Sequence, residues 1–161
     1  LINRAIINAS PLIVLFKSQQ AELIPQLFTE ILIPEAVWHE ILATGQNDAA
    51  SQQLPNTPWL RRVELTAVAP AIAAWDLGAG ESQVLSLCLN TSNYAAIVDD
   101  RAARRCAQTL SIPTLGTGGI LVLAKRRGLI SSISPRIQAL RDAGLWLSDE
   151  LVNLLEKQAG E

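Results

Sequence analysis

The sequence predicts an α/β domain built on a mainly parallel sheet, and three observations predict it. Short apolar runs ending in polar residues alternate with longer stretches of helical period, the pattern of βαβ units. The strongest run, residues 94–98, closes on Asp99 and Asp100 and passes straight into a helical segment, so an acidic pair marks a strand-to-helix junction. Finally, 49% hydrophobic residues over 161 positions leave ample material for a core. No internal repeat, low-complexity tract or linker divides the chain, so residues 1–161 are expected to form a single domain.

In chain order, a first strand over 5–7 stops at Asn8, and Ser10 with Pro11 opens a helix: Ser caps, and Pro suits a first turn whose N–H groups are unpaired. Residues 21–28 read as a second helical piece and 30–33 as a short strand closed by Pro34, which then sits at the first turn of a helix over 35–42. The polar composition of 43–58 suits an exposed connection holding one short helix, and 59–68 reads as a strand near an edge. Gly78, Ala79 and Gly80 break the pattern before a helix over 81–89 with Glu81 in its opening turn. After strand 94–98, a helix over 101–110 must end at Ile112 and Pro113. Thr114 and Leu115 make a last short strand, 116–119 a turn, and 120–127 a helix capped by Gly128. Further helices are expected over 135–143 and, with Ser148 as N-cap, to Lys157.

Composition excludes several classes. A formal net charge of −2 gives no global attraction to a polyanion, so any nucleic-acid contact must come from a local patch. Cys88 and Cys106 form no CxxC pair and stand in no finger spacing with His39, so both are assigned to packing rather than to thiol chemistry or zinc. The apolar stretch 11–16 soon meets Lys17, short of the roughly 20 residues of a membrane span and lacking a signal-peptide pattern. No membrane association and a cytoplasmic location are therefore expected. The sequence holds no methionine, so residues ahead of Leu1 are expected in the natural chain.

The chemistry is expected at the carboxyl ends of the strands, where ligands of open parallel sheets collect. Asn8 ends the first strand and Asp99 with Asp100 ends the strongest; Glu40 and Glu81 add carboxylates from neighbouring helices. Each also has an ordinary explanation. Asp100 caps the helix beginning at Arg101, Glu81 suits the positive end of its own helix, and Glu40 is a solvated acid. Taken together, three or four carboxylates in one cleft repel one another unless a cation joins them, and oxygen-only ligands favour Mg²⁺ or Mn²⁺. Such ions activate water and stabilise charge on a phosphoryl group.

These segments carry a resemblance. Asn8 to Leu12, the stretch from Pro34 to Ile41, Gly78 to Ser82 and the stretch from Ile97 to Arg104 resemble, in that order, PIN-domain proteins. More closely, the chain is similar to a branch related to VapC-type toxins that shares residues 116–119, 124–130 and 147–151, so the resemblance spans almost the full chain. It implies a three-layer αβα fold with a mainly parallel central sheet. It also implies a Mg²⁺- or Mn²⁺-dependent ribonuclease resembling the toxin of a toxin–antitoxin pair, with RNA as substrate, an antitoxin protein as partner, and a homodimer. Glu40, Glu81 and Asp99 would hold the metal, with Asp100 beside them and Ser10 and Thr117 as polar lining. The family's first acid is usually Asp, whereas Asn8 offers a neutral carbonyl oxygen. A second reading therefore stays open: a catalytically impaired PIN-like module that acts by nucleic-acid or protein binding. A third takes Asp99 alone as the nucleophile of a Mg²⁺-dependent phosphatase.

An RNA substrate needs local positive charge, and six of the 13 Lys and Arg residues fall at Arg101, Arg104, Arg105, Lys125, Arg126 and Arg127. The first three lie on neighbouring turns of one helix and present a face to phosphates, or else form a solvated face over apolar surface. Residues 116–119 lack the Lys-Ser or Lys-Thr of a phosphate-binding loop, and 78–82 lack a preceding strand, so both read as turns. His39 reads as structural, and Trp38, Trp59, Trp75 and Trp146 as core or interface residues.

Overall fold

A computed structural model describes residues 2–44, 48–64 and 67–161. It contains five strands, β1 (Arg4–Ile7), β2 (Glu30–Pro34), β3 (Leu60–Val63), β4 (Tyr94–Ile97) and β5 (Thr114–Leu115), in the order β3-β2-β1-β4-β5. Every pairing is parallel: Ala5 lies opposite Ile31 on one side and Ala95 on the other, and Ile97 opposite Leu115. The order runs outward in both directions from the seam between β1 and β4, so that seam is the topological switch point where an open sheet leaves a crevice. Asn8 continues the ladder there, its N–H donating to the Ile97 carbonyl at 3.0 Å.

All four residues of β4 and the last three of β1 are buried, the pattern of strands covered on both faces, whereas none of the four residues of β3 is buried, as suits an edge strand. Helices α1 (Ala9–Lys17) and α2 (Leu23–Leu27) connect β1 to β2, and α3 (Glu35–Thr44) follows β2 directly. Then come α4 (Ala49–Gln53), a 3-10 turn (Leu54–Asn56), and, after β3, α5 (Pro70–Ala73) and α6 (Ala79–Asn90). The last four helices are α7 (Arg101–Thr109), α8 (Thr117–Arg126), α9 (Ser134–Asp142) and α10 (Asp149–Gln158), with β5 between α7 and α8. Helix α6 packs against β1, β2 and β4, and α2 against β2 and α8, giving three layers. Among the described residues, no helix is long and apolar enough to cross a membrane.

The expected elements match, with boundaries shifted by local chemistry. Residues 116–119 are not a free turn: α8 begins at Thr117, because Gly118 and Gly119 allow close packing, and a Cβ at Gly118 would sit 2.6 Å from Leu155 of α10. The glycines at 78 and 80 likewise belong to the start of α6. Gly128, with φ of +74°, ends α8 as a left-handed residue. The connection expected over 43–58 includes residues 45–47, and the edge strand over 59–68 includes 65 and 66, all outside the described residues, as is Leu1. Within that strand the described ladder covers Leu60–Val63. Helix α5 was not expected, its four residues being too short for a periodic signal. Cys88 and Cys106 are buried, and burial pushes the Cys88 thiol up to about 12, so both behave as packing groups.

The tail is tied down by one carboxylate. Glu161 accepts from the Ser132 hydroxyl at 2.6 Å, the Ile133 N–H at 2.7 Å and the Lys125 ammonium at 3.1 Å, linking the end of α8 to the start of α9. The Ser132 hydroxyl foremost, then the Ile133 amide and Lys125, hold its pKa down to about 2 from an ordinary 4.5. A depressed acid stabilises the fold above its unfolded pKa and loses that contribution as pH falls through the folded one. Thermal melts of Glu161→Gln and the parent are therefore expected to differ near neutral pH and to converge as pH approaches about 2.

Candidate functional site

Three sequence-distant side chains meet at the β1 end of the seam. Asn8 is only 2% exposed and stands at the N-cap position of α1, yet its side chain does not cap that helix. Its Nδ2 donates instead to Glu81 Oε1 at 3.2 Å. A carboxylate accepts only, so the amide must present its NH₂ to Glu81, and Oδ1 faces the other way. That oxygen is buried and, among the described residues, has no hydrogen-bond partner. An unpaired buried acceptor costs about 1–3 kcal/mol, which makes Oδ1 a standing demand for a donor or a cation.

Glycines let the acids approach it. Gly80, in the first turn of α6, faces the end of β1: a Cβ there would lie 3.0 Å from Asn8 Oδ1 and 3.4 Å from Glu40 Oε2, so both oxygens surround one point. At Gly78 a Cβ would meet Glu81 Oε2 at 2.6 Å, so glycine is needed for that carboxylate to fold back over the helix start. Burial first, and the charge of Glu81 second, raise the Glu40 pKa above its ordinary value. The two acids therefore feel each other across the cleft.

The cleft measures about 470 Å³ and is lined by Asn8, Ser10, Lys17, Glu40, Asp48 and Glu81, with Ala143, Gly144 and Leu145 along another wall. Lys17 and Asp48 were missed from the sequence. For Lys17 a signal existed, because Ser10, Ile13, Val14 and Lys17 all line the cleft and follow the spacing of one helix face. Asp48 accepts from the Ser51 N–H at 2.8 Å as the cap of α4.

The remaining candidates lie elsewhere. Asp99 is turned onto α8: its Oδ1 accepts from the Thr117 N–H at 2.8 Å and its Oδ2 from the Thr117 hydroxyl at 2.6 Å, an anion at a helix N-terminus. Thr117 is fully buried beneath it. Asp99 thus lines a neighbouring groove of about 810 Å³, with Arg101, Arg104 and Arg105, rather than the cleft of Glu40 and Glu81. Asp100 caps α7, accepting from the Ala103 N–H at 2.9 Å. Lys125 pairs with Glu161, and His39 with Glu35 at 3.2 Å, so neither lines the cleft. Among the described residues no three acidic, histidine or cysteine side chains gather as a metal-holding cluster. What gathers is two carboxylates and the orphaned amide oxygen, an oxygen-only donor set of the kind a hard divalent cation takes.

Two outcomes follow from this geometry. Removing the neighbouring charge in Glu81→Gln is expected to bring the Glu40 pKa part of the way back, as read by carboxyl NMR titration. In the parent, a raised acid means stability is complete below the ordinary value of 4.5 and declines as pH rises through the folded value. Asp100→Ala is expected to cost about 1 kcal/mol in urea unfolding through loss of the α7 cap.

A family model described as a PIN domain matches residues 4–161. No curated protein matches the chain.

Proposed function

Because the chain belongs to the PIN-domain family, whose members are generally nucleases, we propose that it hydrolyses RNA phosphodiester bonds with a divalent metal, acting as the toxin of a toxin–antitoxin pair. The observation that carries this reading is the buried Oδ1 of Asn8, unpartnered among the described residues and sharing one point with Glu40 at the switch point of the sheet. In this reading Glu40, Glu81 and Asn8 Oδ1 hold Mg²⁺ or Mn²⁺, which when bound supplies an activated water and charge stabilisation at phosphorus.

The chain's own residues do the rest. Glu81 and Glu40 orient the water. Lys17 and Ser10 line the cleft and bind the phosphate that enters it. Asp99 fastens the start of α8 through Thr117 and, with Asp100 capping α7, positions the arginines of α7 for the RNA backbone. Arg101 and Arg104 contact that backbone, while Lys125, paired with Glu161, serves the outer surface. An antitoxin partner and a homodimer come from the family likeness and complete the reading, with a cytoplasmic setting taken from the sequence's lack of a membrane span or signal-peptide pattern.

A specific observation favours the second reading, a PIN module that binds without cutting. The Asn8 amide already satisfies Glu81 with no cation, and Thr117 already satisfies Asp99. Thermal shift and cleavage assays separate the two. Saturating Mn²⁺ is expected to raise the Tm by roughly 5–10 °C through binding linkage, and Glu40→Gln with Glu81→Gln to abolish both that shift and RNA cleavage. Asn8→Asp is expected to lower Tm without metal, by adding a third repelling carboxylate, and to tighten Mn²⁺. No Mn²⁺ response in the parent, together with cleavage gained only in Asn8→Asp, would leave the binding module standing.

A further inference from the structure

Of the ten arginines, eight hydrogen-bond or pair with a neighbour; among the described residues Arg101 and Arg105 do neither. Both are exposed and share a face of α7 with Arg104, although like charges at that spacing repel and weaken a helix. Across the same groove stand Trp146, 81% exposed, and Leu151 and Leu154, 39% and 50% exposed. A bare tryptophan beside free guanidinium groups is a surface awaiting something both flat and anionic.

The groove also leads somewhere. Leu145 lines both it and the carboxylate cleft, so the two adjoin at the segment 144–147, which holds Gly144 at a φ of +105°. We propose that the groove binds single-stranded nucleic acid, with Trp146 stacking on a nucleobase and Arg101 and Arg105 pairing with phosphates, one strand crossing residues 144–147 into the cleft. The crossing rests on the nuclease reading; the groove itself does not. Stacking needs an unpaired base, because a duplex hides base faces, and the exposed leucines extend the apolar floor for them. An acidic peptide is the competing occupant. Continuity with the cleft favours a polymer of phosphates, and Asp99, the one carboxylate on the groove among the described residues, is engaged by Thr117.

Fluorescence anisotropy of a labelled single strand of about ten nucleotides, with EDTA present so that nothing is cut, tests this. Trp146→Ala is expected to weaken binding by about 5- to 100-fold, the range of one stacked base, while Trp146→Phe retains most of the affinity. The strand should quench tryptophan emission in the parent, and that quench should shrink in Trp146→Phe. Arg101→Ala with Arg105→Ala should flatten the log–log salt dependence by about 1.4. Since Trp146 is exposed, these variants keep the fold, as circular dichroism would verify. Unchanged affinity in Trp146→Ala overturns the proposal. So does equal affinity for duplex, or groove variants that alter only sedimentation mass or binding of an acidic helical peptide. Strand binding that depends on Trp146 without metal-dependent cleavage would defeat the nuclease reading alone; cleavage with Trp146-independent binding would defeat the groove alone.

Discussion

One amide at the end of β1 faces two carboxylates, and its orientation governs the cleft. Asn8 gives its NH₂ to Glu81, which fixes Oδ1 toward the point that Gly80 keeps open beside Glu40. An aspartate there would place three negative charges around the same space, a state that raises pKa values until a cation relieves it. With asparagine the Nδ2 group is paired with Glu81 while Oδ1 stays unpaired among the described residues, and Glu40 has its pKa raised by burial and by Glu81.

The second constraint is the division of the crevice. Parallel pairing sets Asn8 beside the end of β4, so Asp99 emerges two residues beyond Ile97 on the same edge of the sheet. The start of α8 then decides where its carboxylate goes, because an unpaired Thr117 N–H and a buried hydroxyl are both within reach. Gly116 permits it, since a Cβ there would lie 3.1 Å from Asp99 Oδ1 and 2.9 Å from Arg104 Nη1. The result is an acidic cleft and an arginine-lined groove side by side, divided by the segment that carries Trp146.

Much of this was legible in the residues. Strand 94–98 and its acidic end, the start of α1 near Pro11 (with Asn8 and not the expected Ser10 at the N-cap position), the Ser148 cap and the Gly128 stop rest on local chemistry that acts over a few residues, and local chemistry is written in order along the chain. Asp100 as a cap was legible for the same reason. Motif order and the convergence of strand ends lead to the expectation of one cleft for Asn8, Glu40, Glu81 and Asp99; Asn8, Glu40 and Glu81 line one cavity and Asp99 the neighbouring groove.

What the sequence by itself determined is the alternation of elements, the αβα class and the set of polar residues that reach the carboxyl edge of the sheet. Only the tertiary structure decided which of them share a cavity. A side chain at a strand end has two or more partners within reach, and the choice between Thr117 and Glu81 turns on ångström distances set by glycines 78, 80, 116 and 118. The same holds for Trp146. The sequence reads it as a core or an interface residue alike, and the structure leaves it 81% exposed two residues after Gly144, whose φ is +105°.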